Sequence, residues 1–538
     1  MDRLNLIWLD IKLPVDQDDA ELPDILARRL KVTREKINNL RILRRSVDAR
    51  QKPELFFVYT VEFSVQISGP ELRKAMAHYP RLKEKVFVQK YPLNNCPDSK
   101  LTSRPIVVGT GPAGYFAALA LARKGYRPLV LERGDKVEDR SVAVERFWNT
   151  GTLDSESNVQ FGEGGAGTFS DGKLTTRIDD RRVREVLENF VEFGANPEIL
   201  YAAKPHIGTD ILKKVVAAMR AKIEALGGEV LFRTKVTGLK TVNNQLEAVE
   251  IDGAETIPAE TVILAVGHSA RDVYQFLKVL GVQLEAKPFA VGLRIEHRQE
   301  YVNLTQYGIP FHPRLGPADY QLTYKDISSG RGAYTFCMCP GGQVIASSSE
   351  DGGIVTNGMS NFSRETTIAN SAVVVTVSPE DFASSDPLAG IDFQREWEQK
   401  AFQAGGRNYC VPAQSVQDFL RNQLTKKFSL VPTYRPGYTS VDLHTILPYE
   451  IGSVLERALL AFDQKMRGFA GAEATLSGVE SRTSAPVRIL RDESGQSVNL
   501  KGLFPAGEGA GYAGGITSSA VDGLRAAEKL MAQYAPKE

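Results

Sequence analysis

The spacing of apolar positions changes character near residue 92. Before that point Leu4–Leu13, Asn39–Val47, Leu55–Ile67 and Lys85–Gln89 read as strands, and Asp19–Leu30 and Leu72–His78 as helices. The polar stretch 93–104, with Pro97, reads as a linker. Beyond it, Ile106-Val107-Val108 is an unbroken apolar run ending in glycine, the pattern of a strand buried on both faces. Ala113–Arg123 is a strong helix former that closes on Lys124-Gly125. Arg127–Glu132 predicts a second strand, and Thr209–Leu226 a helix. Glu229–Lys240 and Leu246–Asp252 predict a hairpin over Asn243-Asn244. Glu260–Val266 is a further buried strand, while Arg271–Gly281 and Ser518–Gln533 are helical.

These elements predict an α/β chain in several parts. Residues 1–92 follow the order βαββαβ, which is a ferredoxin-like α+β arrangement. Residues 101–281 alternate strand and helix, as a Rossmann-like dinucleotide-binding domain does. Residues 282–464 are richer in Tyr, Val, Thr and Pro and predict an inserted, sheet-containing substrate domain. The remainder, 465–538, returns to a glycine-rich turn and a helix that complete the first domain. No repeat of 20–50 residues interrupts this order.

Composition narrows the function classes. The 538 residues are 42% apolar and 24% charged, enough for packed cores. Lys+Arg 66 against Asp+Glu 65 leaves a net charge of +1, which gives no global attraction for nucleic acid or anionic membrane. Within that balance, Arg41-Ile-Leu-Arg44-Arg45 is basic but interrupted by apolar residues. A solvated sheet face accounts for it more simply than an RNA-binding patch. Four cysteines in 538 residues predict neither a disulfide scaffold nor a metal site. No apolar run approaches the roughly 20 residues of a membrane span, and the opening MDRLNLIWLDIKLP lacks a signal-peptide pattern. The expected location is the cytoplasm.

Chemistry enters with Gly109-Thr110-Gly111-Pro112-Ala113-Gly114, a GxGxxG loop between strand and helix. Gly109 makes the turn, Gly111 lets backbone approach a pyrophosphate, and Gly114 permits close helix packing. Pro112 and Ala113 open the helix, whose first amides meet phosphate charge. Glu132, 23 positions after Gly109, ends the next strand where a carboxylate accepts from an adenosine ribose, with Arg133 beside it. This spacing does not separate NAD from FAD.

Three later segments resemble those of the glutathione-reductase-like superfamily of two-dinucleotide-fold flavoproteins. Gly162-Glu-Gly-Gly165-Ala166-Gly167-Thr168-Phe-Ser-Asp-Gly172 is similar to the second glycine loop of its fumarate-reductase-like branch. Thr261-Val-Ile-Leu-Ala265-Val266-Gly267-His268 resembles the "ATG" strand, with Val266 in place of Thr. Leu503-Phe-Pro-Ala-Gly507-Glu508 resembles the C-terminal FAD motif, with Glu508 in place of Asp. The resemblance implies FAD as cofactor, Gly165–Thr168 along its pyrophosphate and ribityl chain, Val236 holding the adenine, and Gly515 and Ile516 amides at the flavin pyrimidine edge. The whole layout is similar to bacterial FAD-dependent dehydrogenases with an N-terminal extension. No second GxGxxG unit follows. NADH, NADPH or another electron donor would then dock at the flavin face.

Substrate-side candidates lie in the insertion and its flanks. Arg294-Ile295-Glu296-His297 alternates, so Arg294 could clamp a carboxylate while His297 trades a proton. Glu480-Ser481-Arg482 places an acid and a guanidinium shortly before the C-terminal motif. Cys337-Met338-Cys339 allows either inert thiols or a thiol relay. His268 is expected to cap the helix that follows it, and His444 and Asp442 rank lower. The expectation is an FAD-dependent dehydrogenase acting on a small, anionic substrate, with Glu480, Arg482, Arg294 and His297 as its catalytic groups. A flavin-dependent RNA-modifying protein and a non-enzymatic flavoprotein are the alternatives.

Overall fold

The computed structural model describes residues 3–85, 97 and 99–537, and these divide into two compact units. The first holds the N-terminal residues together with Asn196–Pro205 and Asn303–Ala318. Four strands, Arg3–Pro14, Ile37–Gln51, Glu54–Gln66 and Leu82–Glu84, form one antiparallel sheet in the order second, third, first, fourth. Leu55, Phe57, Tyr59, Val61, Phe63 and Val65 alternate onto one face and bury against Leu22, Leu26 and Leu30 of the helix Leu22–Leu30. A capping box, Ser68 with Glu71, starts the helix Gly69–His78. The fourth strand, Leu82–Glu84, ends just before the expected strand Lys85–Gln89, of which Lys85 is not in a strand and 86–89 lie outside the described residues. In the basic stretch, Arg45 is committed within this unit: it pairs with Glu198 and stacks over Phe57 and Tyr201.

The second unit is built on two sheets. Five short parallel strands lie in the order Leu503–Pro505, Val262–Leu264, Ile106–Val108, Leu129–Leu131, Glu229–Leu231. The first strand in the chain sits centrally, so the order reverses between it and Val262–Leu264, the switch point where such sheets open a crevice. The expected strand Glu229–Lys240 is broken. Its first residues extend this sheet, while Val236–Val242 pairs antiparallel with Gln245–Ile251. The break falls at Arg233 and Thr234, whose amides bond the carbonyls of Gly134 and Glu132 instead. Pro112–Arg123 is buried almost all round, and the C-terminal helix Ile516–Gln533 packs on it. Their crossing is tight: a Cβ on Gly523 would lie 2.0 Å from the Ala113 carbonyl oxygen.

A seven-stranded sheet follows the order Thr323–Lys325, Gly332–Cys339, Ile368–Val377, Phe289–Arg298, Thr475–Glu480, Val411–Ser415, Tyr438–Ser440. Phe289–Arg298 is central, and every residue of it but Arg298 is buried. Both of its faces are covered, which changes the meaning of the alternation at Arg294–His297.

Candidate functional site

Gly109 leaves the central parallel strand at φ 98°, and a Cβ there would stand 2.5 Å from the Ala265 carbonyl oxygen. The turn feeds Pro112–Arg123, whose N-cap, Gly111, has no side chain to cap the first amides. Uncapped amides at a helix start are an anion site. Three other segments close on this loop. The Gly164 amide donates to the Thr110 carbonyl at 3.0 Å, and a Cβ on Gly165 would lie 3.0 Å from Gly111 Cα. A Cβ on Gly167 would meet Ile516 Cγ1 at 3.1 Å, and one on Gly507 would meet Ala113 Cβ at 2.7 Å. One on Gly509 would lie 2.6 Å from the Gly267 carbonyl oxygen. The segments around 109–114, 162–168, 265–267 and 507–516 therefore meet at backbone distances that glycine permits.

Buried charges hold the loops. Arg140, wholly enclosed, donates to the carbonyls of Asn158 (2.8 Å), Val159 (2.9 Å), Gly162 (3.2 Å) and Glu163 (2.6 Å). Burial lowers its pKa to about 10, which still leaves it cationic near neutral pH. Glu163 accepts from Tyr115 Oη at 2.6 Å and the Val137 amide at 2.7 Å, and its pKa is raised by burial. Glu132 accepts from the Thr110 amide and hydroxyl and from the amides of Gly134 and Gly162, at 2.6–3.0 Å. Those bonds fill a carboxylate's four acceptor positions, so Glu132 braces both loops here. Arg133 lies over the Phe161 ring between Glu156 and Asp272, and Val236 is buried just after the backbone bonds to Glu132 and Gly134.

Other glycines point to a ligand rather than to the fold. A Cβ on Gly514 would meet nothing within 4 Å, and one on Gly515 only Ser518 Oγ at 3.9 Å. Gly515 is extended, at φ 166°, so neither backbone strain nor a neighbour requires glycine there. Both are exposed and lead into the 18-residue helix Ile516–Gln533, so its uncapped amides and positive end face the space a Cβ would take. Two helix starts and four glycine segments fit an elongated, doubly phosphorylated ligand. Glu508 adds a half-buried carboxyl, raised to about 7 by burial and opposed by the Lys287 charge.

The four substrate-side candidates are placed differently from their expected roles. Arg294 and Glu480 come together as a buried ion pair at 3.0 Å. The remaining Arg294 donors go to Asn370 Oδ1 (2.9 Å) and the Cys337 carbonyl (2.7 Å), and Glu480 also accepts from Thr356. Arg482 is elsewhere, in a fork onto Glu398 that Arg271 completes from the other side. As placed, neither guanidinium is free to clamp a substrate carboxylate. His297 packs among Tyr301, Tyr320 and Phe469, with Nε2 2.8 Å from the Phe469 carbonyl oxygen; burial lowers its pKa to about 4 and leaves it neutral. For Arg294 and His297 the reason is that their central strand is covered on both faces. His268 does not cap the next helix, whose N-cap is Ala270. Burial and the nearby Arg482 and Arg271 push its pKa down to about 3. Asp442 does cap a turn, and His444 bridges it to Glu456, stacked on Phe419. Sequence reasoning missed Arg140, Arg271 and Glu398, because no local spacing distinguishes a buried arginine or glutamate from a surface one.

Over residues 288–483 the chain matches the family described as FAD-dependent protein, C-terminal domain-like, and over 6–64 a domain of unknown function. An uncharacterized protein of Clostridium beijerinckii is 46% identical over 531 residues, 98% of each chain. Thiamine thiazole synthase of Archaeoglobus fulgidus is 29% identical over 172 residues, 31% of this chain and 56% of its own. The solved glycine oxidase of Geobacillus kaustophilus overlaps 80% of this chain and 95% of its own at 12% identity, with a TM-score of 0.35. Among the described residues no helix is long and apolar enough to cross a membrane. The chain belongs to one family with the Clostridium beijerinckii protein, and it is a flavoprotein whose cofactor is FAD.

Proposed function

We propose that the chain is an FAD-dependent oxidoreductase that exchanges a hydride with a small-molecule substrate. The observation that carries this reading is the meeting of four glycine segments at the sheet's switch point. Gly109–Gly114 and Gly165–Thr168 would hold the pyrophosphate, Ala265, Gly267, Gly507 and Glu508 the ribityl side, and the Gly515 and Ile516 amides the pyrimidine edge. When bound, FAD supplies reversible two-electron transfer.

The chain's own groups then orient and protonate. Amides at the start of Ile516–Gln533 favour negative charge at the pyrimidine edge. Glu508, raised to about 7, can hold or release a proton near neutral pH. With Arg294 and Arg482 committed to buried carboxylates, Lys287 and Lys173 are candidate cations to meet an anionic substrate. Lys287 donates to Ser484 and lies in the field of Glu508; Lys173 stands 3.8 Å from Asp171. NADH, NADPH or another donor docking at the flavin face fits the single dinucleotide fold. The strand order of the N-terminal sheet supports the ferredoxin-like reading, and the pairing of Arg45 with Glu198 weighs against the RNA alternative.

Anaerobic mixing of the FAD-loaded protein with NADH, NADPH and panels of amino and carboxylic acids tests the proposal. Bleaching of the flavin by one of these within a catalytic time is expected. A flavin that no donor reduces, and that no acceptor reoxidises after chemical reduction, would contradict it and leave a non-enzymatic flavoprotein.

A further inference from the structure

His268 follows Gly267 directly, just past the strand Val262–Leu264 and among the cofactor segments. The Gly267 carbonyl oxygen abuts Gly509, yet a Cβ on Gly267 itself would meet nothing within 4 Å. The chain therefore enters His268 beside open space of the kind found at Gly514. The His268 side chain is partly exposed, and its Nδ1 lies 3.1 Å from Ser269 Oγ. Among the described residues Nε2 has no hydrogen-bond partner.

Which nitrogen carries the proton follows from the neighbours. Buried Gln160 reaches the Ser347 carbonyl oxygen at 3.4 Å and Ser347 Oγ at 2.6 Å with one end of its amide. A carbonyl only accepts, so the Gln160 amino group faces Ser347 and its Oε1 faces Ser269. Ser269 has one hydroxyl hydrogen, and it goes to Gln160 Oε1 at 3.2 Å. The Ser269 oxygen then accepts twice, from Arg482 Nη1 at 3.0 Å and from His268 Nδ1–H. Arg482, sharing that oxygen, opposes a second positive charge on the imidazole. Glu398, the carboxylate that would favour one, is taken up by the forks of Arg482 and Arg271. A neutral imidazole with its proton on Nδ1 keeps a bare lone pair on Nε2.

An acceptor suits some parts of a dinucleotide and not others. Pyrophosphate oxygens and flavin carbonyls only accept, whereas the hydroxyl groups of the ribityl chain and the adenosine ribose donate. The flavin N3–H and the adenine amino group also donate, but they belong to the ends read as meeting Gly515–Ile516 and Val236. We propose that His268 is a fixed hydrogen-bond acceptor whose Nε2 binds a hydroxyl group of FAD, with Gln160, Ser269 and Arg482 as positioning residues that hold its tautomer. Arg482 also donates to Ser349 at 2.5 Å, so the same network joins the cofactor strand to the segments around 347–349 and 482. This inference rests on FAD as the cofactor, and it gives His268 a role that helix capping does not.

The test is equilibrium titration of the flavin-stripped full-length protein and its variants His268→Phe, His268→Ala and His268→Gln. The probes are FAD and analogues that each lack one hydroxyl, from the ribityl chain or from the adenosine ribose. The wild type should bind one analogue about three- to tenfold more weakly than FAD, and that analogue names the hydroxyl. His268→Phe and His268→Ala should lose the same factor toward FAD and bind that analogue as the wild type does. His268→Gln, whose amide oxygen accepts, should recover most of the affinity for FAD. A role confined to packing would weaken FAD and every analogue alike in His268→Phe and His268→Ala, and that result would overturn the proposal. So would FAD binding that neither variant changes, or a wild type that binds FAD and all the analogues equally. Absence of FAD uptake by the wild type would instead overturn the cofactor reading, and this inference with it.

Discussion

Glu296 lies fully enclosed in the central strand Phe289–Arg298, its carboxyl accepting from the amide and hydroxyl of Thr433. Burial raises its pKa from 4.5 to about 7. The folded state therefore binds the proton more tightly than the unfolded chain. Stability from this group is full below about pH 4.5 and is lost as pH rises through about 7. Glu296→Gln keeps an acceptor for Thr433 and removes the charge. Urea unfolding should show a gain of about 2–3 kcal/mol at pH 8 and almost none at pH 4. Equal destabilisation at both values would contradict the assignment. Arg140 offers a second test at this scale. Arg140→Lys keeps the charge but loses the fork that reaches four carbonyls. A loss of about 1–3 kcal/mol in unfolding free energy and at least tenfold weaker FAD binding should follow together.

Among the elements, two glycines on one helix and its approach make opposite predictions. At Gly523 an added methyl would meet the Ala113 backbone, and two helices would have to separate. Gly523→Ala should cost about 1–3 kcal/mol or more in thermal or urea unfolding. Gly514 is exposed, with open space where its Cβ would be. Gly514→Val should leave stability within about 0.5 kcal/mol yet weaken FAD binding at least tenfold. Equal effects of the two substitutions on stability would remove the reason for reading Gly514 as a ligand contact. The same contrast explains what the sequence made legible. The glycine loop, its strand and its helix are contiguous, so their spacing carries their meaning. The bulge at Cys337, the Arg140 clasp and the Arg271–Glu398–Arg482 cluster join residues far apart in the chain. Their local sequence resembles that of surface strands and helices, and only the packed fold distinguishes them. The same is true of Arg294 and His297, whose alternation says which residues share a face but not that both faces are covered.

For the molecule as a whole, the larger unit contains both the parallel sheet and the seven-stranded sheet, and the cofactor segments come from 109 to 516 along the chain. A ligand touching all of them should stabilise that unit as one body. FAD at a hundredfold excess over its Kd should add about 2.7 kcal/mol to unfolding of this unit, read by calorimetry with and without cofactor. The most direct measurement is a titration of FAD into protein stripped of flavin, set beside the Gly111→Val variant. Gly111 meets only Gly165 Cα, at 3.9 Å, so the fold should tolerate the larger side chain while its bulk occupies the pyrophosphate path. One FAD per wild-type chain and loss of binding by a folded Gly111→Val protein are predicted. A wild type that takes up no flavin, or a variant that binds it equally well, would contradict the account.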